Sequence, residues 1–199
     1  SVCRGGFTPD AAAEVAGADA DVVATLVDHS LVRRLRSGRL DIHALLRDLA
    51  ADELGADPTE RDDTRARHCA FYLALLREHV AGLPSDESAA SVADVEPELP
   101  NVREAWRWAV ARADAGAVHR ALHPLEKYYL RTGRFPEAQE AFGAAADSLL
   151  AAGPDDPSEQ FNEEACGCLD RDRDRDIDFN DAAVFAACAG GAGVTFDEV

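Results

Sequence analysis

Apolar residues recur at helical spacing along most of the first 150 residues, and they alternate strictly in one stretch only. The clearest helix covers residues 61–80, and its apolar face consists of Cys69, Leu73, Leu76 and Val80. Alanine, the best helix former, supplies much of the 47% hydrophobic content, and runs of β-branched or aromatic residues are few. The sequence therefore predicts a mainly all-α chain.

The first 56 residues combine helix signals with one hairpin signal. A helix over Pro9–Ala16, capped by Thr8, precedes a second helix that begins near residue 20. Apolar residues then alternate between Leu31 and Ile42 around a Ser-Gly turn, which is typical of a small β-hairpin. A third helix is predicted over His43–Leu54, with an apolar side made of Leu45, Leu46, Leu49 and Leu54.

Residues 60–152 are predicted to form a second, helical unit. After the long helix, Leu83–Ser91 is expected to be a flexible connection, and Asn101 is expected to cap the helix that follows it. Two more helices, Ala117–Thr132 and Pro136–Leu150, are separated by a glycine and form an αα-hairpin.

Longer strings in these two units carry a resemblance. SVCRGGFTPDAAAEVAG, VVATLVDHSLVRR and GRLDIHALLRDLAADEL resemble the winged-helix segment that follows the nucleotide-binding core of bacterial STAND signalling ATPases. HCAFYLALLREHVAGL and ELPNVREAWRWAVARAD resemble the helical linker that leads to tetratricopeptide-type repeats. Within the αα-hairpin, five residues stand at tetratricopeptide offsets: Tyr129, Gly133, Ala138, Phe142 and Ala145. One such unit cannot bury its own apolar face, so it is expected to stack on the preceding helices or on a missing neighbour.

The resemblance implies a regulatory region without catalysis. The winged-helix-like unit would dock on an upstream nucleotide-binding domain, and the helical repeat surface would receive a protein partner in the cytoplasm. The chain has no P-loop, because its single lysine is Lys127, so we expect no enzyme activity from it. It also contains no methionine, even at position 1, and is expected to be a fragment or a processed product.

The net charge of −18 argues against nucleic acid and anionic membranes as partners. No apolar stretch approaches the ~18 residues of a membrane span. A local basic cluster in the hairpin has two interpretations: it contacts nucleic acid phosphates, or it is a solvated hairpin or a contact for an upstream ATPase domain. The overall charge favours the second. The members of the cluster are Arg33, Arg34, Arg36 and Arg39.

No nucleophile or acid–base constellation is evident in the sequence. The histidines are scattered over predicted helices and are expected at the surface or at interfaces: His29, His43, His68, His79, His119 and His123. His119 and His123 lie four apart on one helical face, which permits a metal pair without a third ligand. Cys69 is expected in the core, and the five cysteines form no CxxC pair.

The most specific local pattern lies in a third segment, residues 153–199, which begins at a Gly/Pro/Asp breaker. Acidic side chains occupy positions 1, 3, 5, 7, 9 and 12 of a twelve-residue loop, the spacing of an EF-hand-like calcium site. They are Asp170, Asp172, Asp174, Asp176, Asp178 and Asp181. Calcium prefers oxygen ligands, so the spacing predicts a calcium site; the alternative is a solvated run neutralised by the intervening arginines.

The string CLDRDRDRDIDFNDAAVFAACAGG resembles a single dockerin-type or EF-hand-like calcium repeat. This second resemblance implies a different protein, secreted or at the cell surface, whose tail is a calcium-dependent docking module. The two functional hypotheses imply different compartments, and both stay open at the level of sequence.

Overall fold

The computed structural model describes residues 1–80 and 93–152, and these residues are mainly helical, as predicted. Strands β1 (Arg33–Arg34) and β2 (Leu40–Asp41) pair antiparallel. A 3₁₀ turn, Glu96–Glu98, precedes the helix that begins at Leu99. The helices are α1 (Pro9–Ala16), α2 (Ala20–Asp28), α3 (Ala44–Gly55), α4 (Pro58–Val80), α5 (Leu99–Ala111), α6 (Ala115–Thr132) and α7 (Phe135–Ala152). The predicted connection at 83–91, the boundary at residue 153 and the calcium loop lie outside the described residues.

Local signals place the first helix and the hairpin where the sequence predicts them. The Thr8 side chain accepts the backbone N–H of Ala11 at 3.1 Å, and Gly17 ends α1 in the left-handed conformation, with φ 63°. The hairpin gains a third backbone partner, because Phe7 exchanges hydrogen bonds of 2.9 and 2.8 Å with Leu40. Gly6 permits this approach: its φ is 86°, and a Cβ there would lie 2.9 Å from the Leu40 carbonyl oxygen.

Two groups of buried side chains form the interior of the described residues. The smaller one lies between α1, α2 and the hairpin and contains Ala12, Val23, Val32 and Leu40. The larger one lies among α4, α5, α6 and α7, with Tyr72, Leu76, Val102 and Tyr128 fully buried. Helix α1 joins the two, because Ala11 packs in the larger group and its neighbour Ala12 in the smaller. The two predicted units therefore share a packed boundary.

Helix α3 differs from its prediction. None of its side chains is buried, and Leu45 and Leu49 are 73% and 57% exposed. Gly55 lies inside the helix rather than beyond it, and α4 begins at Pro58, so the predicted linker over residues 56–60 is shorter than expected. Of the four leucines predicted on its apolar side, Leu46 and Leu54 are half-buried, while Leu45 and Leu49 have no covering element within the described residues.

The αα-hairpin of α6 and α7 packs on the helix before it. Trp106 of α5 donates its indole N–H to the Ala141 carbonyl at 3.1 Å. The Phe142 ring meets Trp106 and Tyr129 edge to face, with centroids 5.7 and 6.1 Å away. Stacking on the preceding helices is one of the two arrangements that the sequence left open.

Asn101 does not cap a helix. Helix α5 begins at Leu99, so Asn101 lies in its first turn, fully buried. Its side-chain oxygen accepts the Arg4 N–H at 2.5 Å, and its amide donates to the Gly6 carbonyl at 2.9 Å. The residue therefore holds residues 4–6 against α5, because buried backbone polar groups need partners.

A buried ion pair lies beside Asn101. Arg39, in the hairpin, binds the carboxylate of Glu98 and donates to the Pro97 carbonyl at 3.2 Å. The Arg39 and Glu98 side chains are 14% and 5% exposed, and Asn101 also donates to Glu98 at 3.2 Å. One member of the predicted basic cluster is thus committed to an internal contact. Arg33, by contrast, pairs with Asp41 at the surface.

We predict that Glu98→Gln lowers the free energy of unfolding by about 3 kcal/mol, because it leaves the Arg39 guanidinium buried without a counter-charge. Urea denaturation followed by circular dichroism measures the loss. Glu60→Gln is the matched control: its pair with Arg67 is about half exposed, and we expect a loss below about 1 kcal/mol. Equal losses in the two variants would contradict a structural role for the buried pair.

Candidate functional site

A polar pocket lies where the N-terminal segment, α3, α4 and α5 meet. Helix α4 contributes Arg61, Arg65 and His68, which follow each other at spacings of four and three and therefore share one face. Helix α5 contributes Glu104 and Trp108, also four residues apart. The remaining wall comes from Ser1, Val2, Arg4, Ala51 and Leu54. The cavity has a volume of about 60 Å³.

His68 is the buried member of this pocket. Its side chain is 2% exposed, and Nε2 has no hydrogen-bond partner among residues 1–80 and 93–152. The ring lies against Tyr72, with centroids 4.6 Å apart. The sequence grouped His68 with surface or interface histidines; its actual position is internal because the N-terminal segment covers this face of α4.

Burial lowers the pKa of His68 to about 4. The Asn101 side chain opposes this shift, while the Ser1 amino group and Arg4 add to it. The imidazole is therefore neutral at pH 7, and it can either donate or accept a hydrogen bond through Nε2, according to its tautomer.

The arginines of the pocket differ in their partners. Arg61 binds its neighbour Asp62 at 3.0 Å. The side chains of Arg4 and Arg65 form no hydrogen bond or ion pair with any other described residue. The pocket's carboxylate, Glu104, binds Arg107 at 3.0 Å. Positive charge thus predominates, in a chain whose net charge is −18.

A second cavity, of about 140 Å³ and almost wholly apolar, lies between the N-terminal segment and the smaller core. Cys3, Phe7, Val15, Leu26 and Leu40 are among its lining residues. Burial raises the pKa of the Cys3 thiol, which disfavours a reactive thiolate there. Its lining is mostly apolar, with Ser1, Cys3 and Thr64 as the residues that carry polar side chains.

The other cysteine of the described residues is a core residue, as predicted. Cys69 is 3% exposed, and its thiol contacts the Ala105 carbonyl at 3.5 Å. Burial raises its pKa to about 11. Neither Cys3 nor Cys69 is in a disulfide.

The predicted metal residues receive no structural test. The two histidines of the pair have different surroundings. His119 is half-buried, while His123 is exposed and its Nδ1 lies 3.2 Å from the Glu126 carboxylate. Within residues 1–80 and 93–152 no group of three or more metal-ligating side chains converges. The six aspartates of the calcium loop, Asp170–Asp181, lie outside the described residues, so that site stays a prediction.

Sequence reasoning missed the pocket at His68. The spacing of Arg61, Arg65 and His68 was visible as one helical face, but a polar face on a long helix is ordinarily solvated. What makes it a cavity is coverage by Arg4 and Trp108, which are distant in sequence and carry no local signal.

The chain matches no known family model, and comparisons with curated proteins and with solved structures find no significant similarity. In the part of the chain that the structure describes, no helix is long and apolar enough to cross a membrane.

We predict that His68 makes the fold acid-sensitive. Its pKa is about 4 in the folded chain and about 6.5 when unfolded. As the pH falls, the unfolded chain therefore takes up the proton before the folded chain does. The contribution of His68 to the free energy of unfolding is fully present above pH 6.5 and declines towards pH 4. In phosphate-free buffer this residue alone should remove about 2 kcal/mol of unfolding free energy between pH 7 and pH 5.

Urea denaturation at each pH measures this decline, and His68→Asn separates it from carboxylate titration. The variant lacks the imidazole but keeps the charged groups that surround it: Arg4, Arg61, Arg65, Glu104 and the Ser1 amino group. A variant whose stability falls as steeply as the parent chain's between pH 7 and pH 5 would contradict the assignment.

Proposed function

We propose that this chain is a regulatory and protein-interaction region of a STAND-type signalling ATPase and acts in the cytoplasm without a catalytic centre of its own. The proposal begins from the resemblance of residues 1–150 to the winged-helix and tetratricopeptide-like region of those proteins. Its nucleotide-binding core would lie outside this chain.

The observation that carries the proposal is the apolar side of α3. Leu45 and Leu49 are four residues apart, so they lie on one helical face, and both are mostly exposed. The opposite side of the helix is held to the fold, since Arg47 donates to the Ile42 carbonyl at 3.0 Å and lies near Asp41 at 3.4 Å. A fixed helix with an uncovered leucine pair is suited to contact with another protein surface.

The partner we propose for this face is the upstream nucleotide-binding domain. Burying a leucine side chain contributes roughly 1.5–3 kcal/mol. Two leucines would therefore contribute part of the binding free energy of a domain contact that can still dissociate. Such a contact suits regulation, because a domain that must dock and release cannot be held by a large apolar interface.

Further exposed apolar residues lie on the αα-hairpin. Leu150, 52% exposed, is near the end of α7. Leu130 and Phe135, 53% and 43% exposed, lie on either side of the turn between α6 and α7 and define a second exposed apolar surface. In the proposed function, this surface receives a following helical repeat or a protein partner. It is separate in sequence from α3, so the two contacts are open to independent tests.

We predict that Leu45→Asp/Leu49→Asp weakens binding to the parent protein's nucleotide-binding domain at least about tenfold, because charge replaces the apolar contact. Calorimetric titration of the separately produced domain measures the affinity. No α3 side chain is buried, so the variant should keep its helical circular dichroism spectrum. The matched control, Leu130→Asp, removes an exposed leucine from the other surface and should bind normally. Unchanged affinity in the double variant, or equal loss in both, would contradict the docking face.

A second candidate function rests on the tail: a secreted or surface protein with a calcium-dependent docking module. The specific observation is the spacing of the six acids from Asp170 to Asp181 together with Ile177 at loop position 8. A charged run without pattern would not place these residues in the EF-hand order.

We predict saturable calcium binding by the chain that is lost in Asp170→Ala/Asp174→Ala, because two direct oxygen ligands are removed. Calorimetric titration measures it. Asp155→Ala/Asp156→Ala, which removes the same charge outside the loop, should bind calcium as the parent chain does. Absence of binding up to millimolar calcium would reduce the loop to a solvated charged run and leave the helical regulatory function alone.

A further inference from the structure

We propose that the polar pocket at His68 binds a small oxyanion group, a phosphate or a carboxylate. This inference is independent of the proposed signalling function and of the calcium loop, since it uses residues of the N-terminal segment, α4 and α5 only. Three properties of the pocket lead to it: its charge, an unpartnered buried nitrogen, and its size.

The charge of the pocket selects an anion. Three arginines, Arg4, Arg61 and Arg65, line it together with one acidic residue, Glu104. Arg61 and Glu104 have other partners at 3.0 Å, so Arg4 and Arg65 remain without a counter-charge among the described residues. Arg4 and Arg65 are exposed, so water screens their mutual repulsion, and both would attract an anion that enters the cavity. Arginine is also the side chain best suited to oxyanions, because its planar N–H groups match two oxygens at once.

A buried nitrogen of one lining residue, His68, lacks a hydrogen-bond partner among the described residues. Nε2 of His68 has none among the described protein groups, although the side chain is 2% exposed. Leaving a buried polar atom unsatisfied costs roughly 1–3 kcal/mol, so native structures rarely do so. An oxyanion oxygen accepts from the Nε2–H tautomer of neutral imidazole, and it accepts from the protonated ring as well. A cation would satisfy the nitrogen too, but the arginines repel it.

The size of the cavity limits the ligand. Its volume of about 60 Å³ exceeds the roughly 10–15 Å³ that one water molecule needs. It accommodates a group of a few heavy atoms, such as phosphate or acetate, and is too small for a larger molecule to enter whole. A larger ligand would place only its anionic group here. Trp108 forms one wall, and Arg112, which lies 4.0 Å from Asp62, stacks over the Trp108 ring at 5.0 Å.

The position of the pocket gives binding a structural consequence. Its lining comes from the N-terminal segment, from Ala51 and Leu54 of α3, and from α4 and α5. An anion bound there would contact both sides of the boundary between the first unit and the helical unit. Binding to the folded state alone raises the unfolding temperature by mass action, so the ligand would strengthen this boundary.

The test is a calorimetric titration of the whole chain with inorganic phosphate and, separately, with acetate, at constant ionic strength and pH 7. We expect saturable one-to-one binding that Arg65→Gln weakens at least about tenfold. Arg77→Gln, the same substitution at an exposed position on the same helix, should bind as the parent chain does. Binding of phosphate alone assigns the site to phosphate groups, and binding of acetate alone assigns it to carboxylates.

A nuclear magnetic resonance titration of His68 shows where the anion binds. Occupancy of the pocket should raise the pKa of His68, because a nearby negative charge favours the protonated ring. The proposal is overturned by any of three results. These are no saturable binding of either anion up to about 50 mM, equal weakening in Arg65→Gln and Arg77→Gln, or binding that leaves the His68 pKa unchanged.

Discussion

A cluster of buried polar contacts around Asn101 and Glu98 determines how the two parts of this chain sit together. Asn101 binds the backbone of Arg4 and Gly6, and Glu98 binds Arg39 of the hairpin. All of these contacts connect residues far apart in sequence. A buried polar cluster of this kind specifies one arrangement strongly, because any shift leaves a charge or a backbone group without its partner.

The candidate pocket is a direct product of that arrangement. Once residues 4–6 are held against α5, the N-terminal segment covers one face of α4, and His68 becomes buried, with no hydrogen-bond partner for its Nε2 among the described residues. The same segment brings Arg4 towards Arg61 and Arg65. The contacts that order the boundary therefore also create the positively charged cavity beside it, and a ligand in that cavity would act on the boundary it adjoins.

The outer surfaces are organised differently. The apolar side of α3 and the apolar residues of the α6–α7 hairpin lie open on separate elements, each with leucines of more than half exposure. Exposed apolar residues grouped on fixed helices are suited to reversible contacts with other proteins. The boundary between the two units is packed and contains the buried Arg39–Glu98 pair. Two exposed apolar surfaces joined through such a boundary would suit a region in which binding at one surface affects binding at the other. The proposed regulatory role needs that combination.

Local physical chemistry made most of the secondary structure predictable. Thr8 as a cap, Gly17 and Gly133 as left-handed ends, and the period change at the hairpin each act over a few residues, so the sequence by itself determined these elements and the mainly helical class. The burial of Cys69 followed from helical spacing in the same way. Patterning also identified the apolar side of α3, although a pattern cannot say whether another element is present to cover it.

Tertiary structure decided the rest. Asn101 has the chemistry of a cap, yet it lies inside α5, because the backbone of a distant segment competes for its side chain. Arg39 has the chemistry of a surface base, yet Glu98 makes it internal. In the sequence, His68 is one of six scattered histidines; in the structure, the N-terminal segment covers it and it is buried. In each case the deciding partner lies more than 55 residues away. Spacing along the chain determines which face of a helix a residue occupies, but only three-dimensional packing determines what that face meets.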